Sequence, residues 1–337
     1  MSTNTFEKLR VGPAPHIRNN LTTRRVMFEV IIALLPAMLA SFYYFGATSV
    51  ATVVAAVVAA VLAEYIWQKL MKKTVTVSDL SAVVTGILLA FNLPPEVPFW
   101  MPVIGSVFAI ILCKQLFGGL GHNFINPALA ARAVLVSSWP VHMTSFVHPD
   151  NIARGLEGLS QTVDSVTSAT PLALLKQGTP AANINLWDMF IGVRGGSIGE
   201  TCALLLLLGG IYLIARRIIN ARIPVAMLGT IAVMAFAFGG EGGLFTGDFT
   251  TIAVHLLGGG AILGAFFMAS DYTTTPVTSK GQWIFGIGVG LITMSIRLWG
   301  GFSEGVSYAI LIMNVASPLI ERYTRPSAFG SEVKRNA

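Results

Sequence analysis

Val50-Ala51-Thr52-Val53-Val54-Ala55-Ala56-Val57-Val58-Ala59-Ala60-Val61-Leu62-Ala63 contains no charge and a single polar side chain, Thr52. A helix that is apolar on every side is buried in the core of a large protein or in lipid. Ala203-Leu204-Leu205-Leu206-Leu207-Leu208-Gly209-Gly210-Ile211-Tyr212-Leu213-Ile214 has the same character. Composition decides between the two environments. Of 337 residues, 54% are hydrophobic and 11% charged, and mean hydropathy is +0.70. Soluble domains carry about 25% charged residues. Water cannot accommodate so much apolar surface, whereas a bilayer solvates it. The expected fold class is all-α integral membrane.

Working outward, apolar runs bounded by charge, proline or glycine give ten candidate spans. They are 26–45, 48–70, 80–93, 98–118, 126–140, 198–219, 223–240, 251–270, 281–298 and 303–322. Two are short: 80–93 ends at Leu93-Pro94-Pro95, and 126–140 opens at Asn126-Pro127. About 14 residues make roughly 21 Å of helix, against a hydrocarbon core near 30 Å. They are either tilted, shielded helices or half-helices that stop inside the bilayer.

Charge sets the orientation. Lys8, Arg10, Arg18, Arg24 and Arg25 precede the first run, and Lys69, Lys72 and Lys73 follow the second. Arg216, Arg217 and Arg222 follow the sixth, and Arg322, Arg325, Lys334 and Arg335 follow the tenth. Ten crossings place all four groups on one face, which the positive-inside rule makes cytoplasmic. Glu96, Glu241 and Asp248 fall on the other face. The net charge of +6 therefore reads as an orientation signal. No basic patch with interleaved aromatics points to nucleic acid. The N-terminal arm lacks the cleavage pattern of a signal peptide.

The expected organisation is a cytoplasmic arm (1–25), a first five-helix half (26–140), an extracytoplasmic loop (141–197), a second five-helix half (198–322) and a cytoplasmic tail (323–337). Five being odd, the halves would be inverted repeats. The location is a bacterial or archaeal cytoplasmic membrane.

Asp164-Ser165-Val166-Thr167-Ser168-Ala169-Thr170-Pro171-Leu172 lies in the long loop. A small-residue loop ending at a proline suits modification of an exposed hydroxyl by another enzyme. The same residues also suit an N-cap at Thr170 followed by proline in the first turn. In Gly118-Gly119-Leu120-Gly121-His122-Asn123-Phe124-Ile125-Asn126-Pro127-Ala128, the glycines permit non-helical backbone. Asn126-Pro127 reads as a cap and helix start. Asn123 and Asn126 either offer amides to a polar ring or satisfy the broken helix's own backbone. His122 has no metal-ligand partner at suitable spacing. Asp271, in Ser270-Asp271-Tyr272-Thr273-Thr274-Thr275-Pro276, serves an ion path, a cofactor or an interfacial cap. Glu64 and Arg297 near span ends are expected to snorkel to headgroups, while Glu29 is the better interior candidate. Gly258-Gly259-Gly260 is expected to serve close helix packing. Cys113 and Cys202 are too few to hold an iron–sulfur cluster alone, since such clusters usually take four thiolates; they are expected to pack, the alternative being a cluster shared with another subunit.

Several of these stretches together resemble one family. Ser78-Asp79-Leu80-Ser81-Ala82-Val83-Val84-Thr85-Gly86, Ala90-Phe91-Asn92-Leu93-Pro94-Pro95 and Gly118–Ala128 are similar to the D subunits of Rnf electron-transport complexes and the homologous B subunits of sodium-pumping NADH:quinone reductase. The resemblance covers essentially the whole hydrophobic chain. The short N-terminal arm is closer to the Rnf type. The family resemblance makes 164–170 a flavin-transferase motif, with FMN joined through its phosphate to Thr170. Asp164, Thr167 and Ala169 would be recognition positions, and Ser168 stands where glycine is usual. The resemblance further implies a noncovalent riboflavin within the helices, nearer the cytoplasmic face, for which Asn123 and Asn126 are the candidate contacts if their amides are not spent on the cap.

The function implied is electron transfer within a ferredoxin:NAD+ oxidoreductase that translocates Na+ or H+. Its partners would be the A, B, C, E and G subunits of an Rnf complex, a membrane flavin transferase and lipid, without nucleic acid. The chain alone would not be catalytic, since no NAD-binding fingerprint is present. The alternatives are a solute channel or transporter with inverted repeats, and a structural membrane protein without a cofactor.

Overall fold

The computed structural model describes residues 22–149, 169–200, 202–240 and 247–326. No strand occurs among them; the ordered elements are helices and short helical turns. The helix Thr23–Leu70 is broken at Gly46, where φ is 62° and ψ is −144°. Residues eight apart in a continuous helix lie about 12 Å apart along the axis. Yet Ser49 Oγ donates to Ser41 O at 3.1 Å. The chain therefore folds back at Gly46, giving two antiparallel helices, α1 (23–45) and α2 (47–70).

The remaining helices follow from local signals. α3 (Ser81–Phe91) is short, and its terminal carbonyls find outside partners: Phe91 O accepts from Gly199 N and Leu93 O from Ile198 N, both at 2.9 Å. α4 (Trp100–Gln115) changes from α to π geometry at Phe108. α5 (Pro127–Ser138) starts at the Asn126 cap, and α6 (Pro140–Thr144) follows it. α7 (Pro171–Lys176) and α8 (Leu186–Ile191) precede α9 (Ala203–Ala215) and α10 (Arg222–Phe238). α11 (Phe249–Leu257) and α12 (Ala261–Met268) meet at a 61° bend. α13 (Ser279–Trp299) and α14 (Val306–Thr324) close the bundle.

The exterior is apolar and the interior holds charge, the reverse of a water-soluble domain. Leu39, Val54, Leu62, Ile66, Val233 and Leu319 are exposed, while Glu64, Lys114, Arg194 and Arg297 are buried. This is a membrane protein solvated by lipid. Among the described residues, Thr23–Leu70, which Gly46 divides in two, and Ser279–Trp299 are long and apolar enough to cross a bilayer, and the bent α11–α12 pair adds a third if it forms one span. Five other apolar helices are shorter. Close approach holds the bundle together: a Cβ at Gly209 would collide with Ala33 O, and one at Gly86 would lie 2.8 Å from Val57 Cα.

The helix ends gather at two poles. Thr22, Glu64, Ser81, Lys114, Asn126 and Asp271 mark the N-terminal pole. Gly46, Trp139, Thr170 and Trp299 mark the far pole. There Tyr44 Oη donates to Ile191 O at 3.3 Å, which ties α8 to the α1–α2 turn.

Gly258–Gly260 do more than allow packing. Gly259 and Gly260 adopt φ of 60° and 65°, and the helix breaks there because only glycine takes this backbone without strain. The free carbonyls are met by Arg297, which donates to His255 O at 2.6 Å, Gly258 O at 3.0 Å and Gly259 O at 3.2 Å. Arg297 therefore does not snorkel; it is 4% exposed. Arg194 adds a bond to Leu257 O at 3.0 Å and pairs with Glu200.

Candidate functional sites

A cavity at the N-terminal pole lies between α1, α3, α5, α9 and α12. It encloses about 780 Å³ of space between atoms, its open mouth included. Asn123, Asn126 and Asp271 all line it, so the structure brings together three candidates from the two halves of the sequence. Asn126 caps α5: Oδ1 accepts from Ala128 N at 3.1 Å and Leu129 N at 3.3 Å, and Nδ2 reaches Met268 O at 3.4 Å. The capping alternative thus holds for Asn126. Asn123 Nδ2 donates to Thr273 Oγ1 at 2.9 Å. Its Oδ1 is buried without a partner among the described residues, which leaves an acceptor for a ligand N–H. Asp271 accepts from the hydroxyls of Thr273 at 2.9 Å and Thr274 at 3.3 Å, and so organises its own turn.

Lys114 also lines this cavity, and it belongs to a buried polar cluster that sequence reasoning missed. Lys114 Nζ lies 2.9 Å from both oxygens of Glu64 and 2.6 Å from Ser81 Oγ. Gln115 and Gln68 also donate to Glu64 Oε1, at 2.8 and 3.2 Å. Both charged side chains are almost fully enclosed, at 2% and 1% exposure. Glu64 therefore does not snorkel. The signal was present: two opposite charges each interrupt an apolar run, and an ionisable group within a span needs a partner. Glu29 is buried but closer to the rim. It accepts from Tyr212 at 2.5 Å and from half-exposed Arg216 at 2.6 Å.

At the far pole, Thr170 is the N-cap of α7, and its Oγ1 accepts from Ala173 N at 3.3 Å. Ala169 is exposed but Thr170 is only 6% exposed, contrary to the expected open hydroxyl. The enclosure arises because Leu172 packs against Met189 and Val254, seating α7 on α8 and α11. Asp164 and Thr167 lie outside the described residues. Beneath α7 is a pocket lined by Leu172, Leu175, Lys176, His255, Arg297 and Ser303. Both ring nitrogens of His255 lack a partner among the described residues.

A partly buried ion pair joins the two halves. Arg132 of α5 pairs with Glu304, donates to Ser307 Oγ at 2.6 Å and reaches Asn92 Oδ1 at 3.3 Å. Cys113 and Cys202 are both buried and free. Among the described residues, no group of three or more His, Cys, Asp or Glu side chains is placed to hold a metal.

The model of the NQR2, RnfD, RnfE family matches residues 10–330. The chain is 52% identical to the D subunit of the Na(+)-translocating ferredoxin:NAD(+) oxidoreductase complex of Acetobacterium woodii, over 98% of both chains. It is 44% identical to the D subunit of the proton-translocating ferredoxin:NAD(+) oxidoreductase complex of Clostridium ljungdahlii, over 95% of this chain and 96% of that one. It is 37% identical to the D subunit of an ion-translocating oxidoreductase complex of Escherichia coli, over 95% and 98%. The resemblance read from the third-helix and Gly118–Ala128 stretches is thereby borne out, and the chain belongs to the NQR2, RnfD, RnfE family.

Proposed function

We propose that this chain is the D subunit of an Rnf-type, ion-translocating ferredoxin:NAD+ oxidoreductase and transfers electrons beside the A, B, C, E and G subunits. The carrying observation is its end-to-end correspondence with relatives of that name, at up to 52% identity. In the same reading the chain crosses the membrane ten times in two inverted halves, with both termini cytoplasmic. This is supported by each apolar run coinciding with a helix or bent helix pair. The N-terminal pole is then the cytoplasmic face and Thr170 lies outside.

FMN is attached to Thr170 by a membrane flavin transferase. The residues fit such a group. Among the described residues Thr170 Oγ1 only accepts, in the cap, and an ester oxygen retains that capacity. The small exposure of Thr170 means that the transferase meets it with the start of α7 lifted from α8 and α11. Riboflavin fits the opposite cavity, where Asn123 Oδ1 stands without a partner among the described residues. Flavins would supply the redox chemistry, while the protein holds them apart and sets their environment. Electron passage between sites at opposite faces carries charge across the bilayer, and this is the step coupled to Na+ or H+.

The test is the intact mass of the denatured chain, co-expressed with its transferase, followed by peptide mapping. The expected gain is one FMN less one water, on the peptide containing Thr170. An unmodified chain from cells with an active transferase would refute the covalent attachment.

A further inference from the structure

His255 is 3% exposed in the last turn of α11. Its carbonyl is held by Arg297, but neither Nδ1 nor Nε2 has a hydrogen-bond partner among the described residues. An imidazole offers one donor and one acceptor when neutral. Leaving both unmet in a buried place is unfavourable, because each gives up its hydrogen bond to water and gains none in return. A packing role does not account for this, since an apolar side chain would fill the same space without that penalty.

The pocket that His255 faces has a consistent chemistry. Arg297 and Lys176 line it, and among the described residues no carboxylate does. Arg297 Nε is buried without a partner among the described residues. Among the described residues, Lys176 Nζ is bound by backbone carbonyls alone, of Gly300 and Phe302. The nearby carboxylates are engaged elsewhere: Glu200 with Arg194, and Glu304 with Arg132. Among the described residues, the charge lining the pocket is therefore cationic, with Arg297 Nε still open to an acceptor. The guest should be rich in acceptors and able to gain negative charge. Leu172 and Leu175 supply an apolar wall for a flat ring. Space between atoms amounts to about 580 Å³, including the open mouth.

α7 roofs this pocket, and α7 begins at Thr170. Leu172, two residues on, contributes directly to the lining. Anything esterified to Thr170 Oγ1 is therefore tethered at the edge of the pocket. We propose that the His255–Arg297–Lys176 pocket receives the carbonyl edge of the flavin ring tethered at Thr170, with His255 as a positioning residue that hydrogen-bonds the ring. The proposal rests on the covalent FMN reading above. The physical consequence is direct. Reduction places electron density on the carbonyl edge, and two nearby cations with a hydrogen bond from His255 favour the reduced ring. Removing the hydrogen bond should lower the reduction potential of this flavin without detaching it.

The experiment uses the whole complex, purified with its flavins. His255→Leu removes both polar atoms, and His255→Gln keeps a donor and an acceptor. Attached FMN is measured by the mass of the chain, and its potential and absorption by redox titration. The expected result is full attachment in both variants. In His255→Leu the oxidised-to-reduced ratio at fixed potential rises about tenfold, equivalent to about 30 mV for a two-electron couple, with a shifted absorption band. His255→Gln recovers most of the change. Equal attachment with unchanged potential and spectrum in His255→Leu overturns the inference and leaves the covalent reading standing. Wild-type complex lacking FMN on Thr170 overturns both. If His255→Leu fails to assemble, His255→Ala and His255→Gln decide: equal potentials in these two overturn the inference.

Discussion

Replacing Lys114 with methionine separates a buried ion pair from a snorkelling one. A surface pair contributes about 0–1 kcal/mol, and snorkelling side chains at Glu64 and Lys114 would give no more. Here both side chains are enclosed and Glu64 accepts from Lys114, Gln68 and Gln115. Lys114→Met leaves Glu64 charged, with two neutral amide donors and no cation. Breaking a buried pair in this way costs about 3–5 kcal/mol, because an uncompensated charge remains. The double variant Glu64→Gln with Lys114→Met removes both charges, and the amides of Gln68 and Gln115 can still bond to the new side-chain carbonyl. Its stability should return to within about 1–2 kcal/mol of wild type, as buried pairs replaced together are often near neutral. The assay is unfolding of the purified chain in mild detergent, followed by tryptophan fluorescence across a denaturant series. All four corners of the mutant cycle are compared, so that the coupling is read directly. A loss below about 1 kcal/mol in Lys114→Met, or a double variant weaker than the single, would refute the reasoning.

Three further outcomes follow from the geometry. Thr170→Val should abolish flavin attachment and complex turnover without stopping assembly, as seen by intact mass and by turnover assay; normal turnover would sink the assignment. The same change removes the α7 cap, worth about 1 kcal/mol, and Thr170→Ser restores the cap. Gly259→Ala should destabilise by at least about 1 kcal/mol, since φ is 60° and the new Cβ would lie 2.5 Å from Arg297 Nη2; a melting temperature equal to wild type would contradict this. Asn126→Ala should cost about 1 kcal/mol through the lost cap and lower the riboflavin extracted per chain, measured by chromatography. Unchanged riboflavin would move that cofactor away from this cavity.

Much of the architecture is legible from local chemistry. The run 50–63 has no face to show to water, so its solvent is set by composition alone. Gly46 falls between two such runs and breaks the helix there, because glycine reaches backbone angles that interrupt helices without steric cost. Asn126-Pro127 starts α5 as its residue types require, and Gly118, Gly119 and Gly121 adopt the positive φ expected of non-helical backbone. Family membership was legible too, because several stretches recur in order and spacing.

What the sequence alone determined was therefore the membrane class, the helix starts and breaks, and the family. Tertiary structure decided which charges face inward and what they meet. Glu64 finds Lys114 fifty residues away on another helix, and Arg297 finds the carbonyls freed at Gly258–Gly259. Position near the end of an apolar run cannot distinguish a side chain that reaches a headgroup from one that turns inward to a partner. Thr170 likewise looks exposed in a small-residue loop, yet it is buried at the start of α7, whose Leu172 packs on α8 and α11. Asn123, Asn126 and Asp271 share a cavity only because α5 and the end of α12 converge. Helix propensity acts within a few residues, whereas a buried charge or an open acceptor is satisfied by whatever the fold brings beside it.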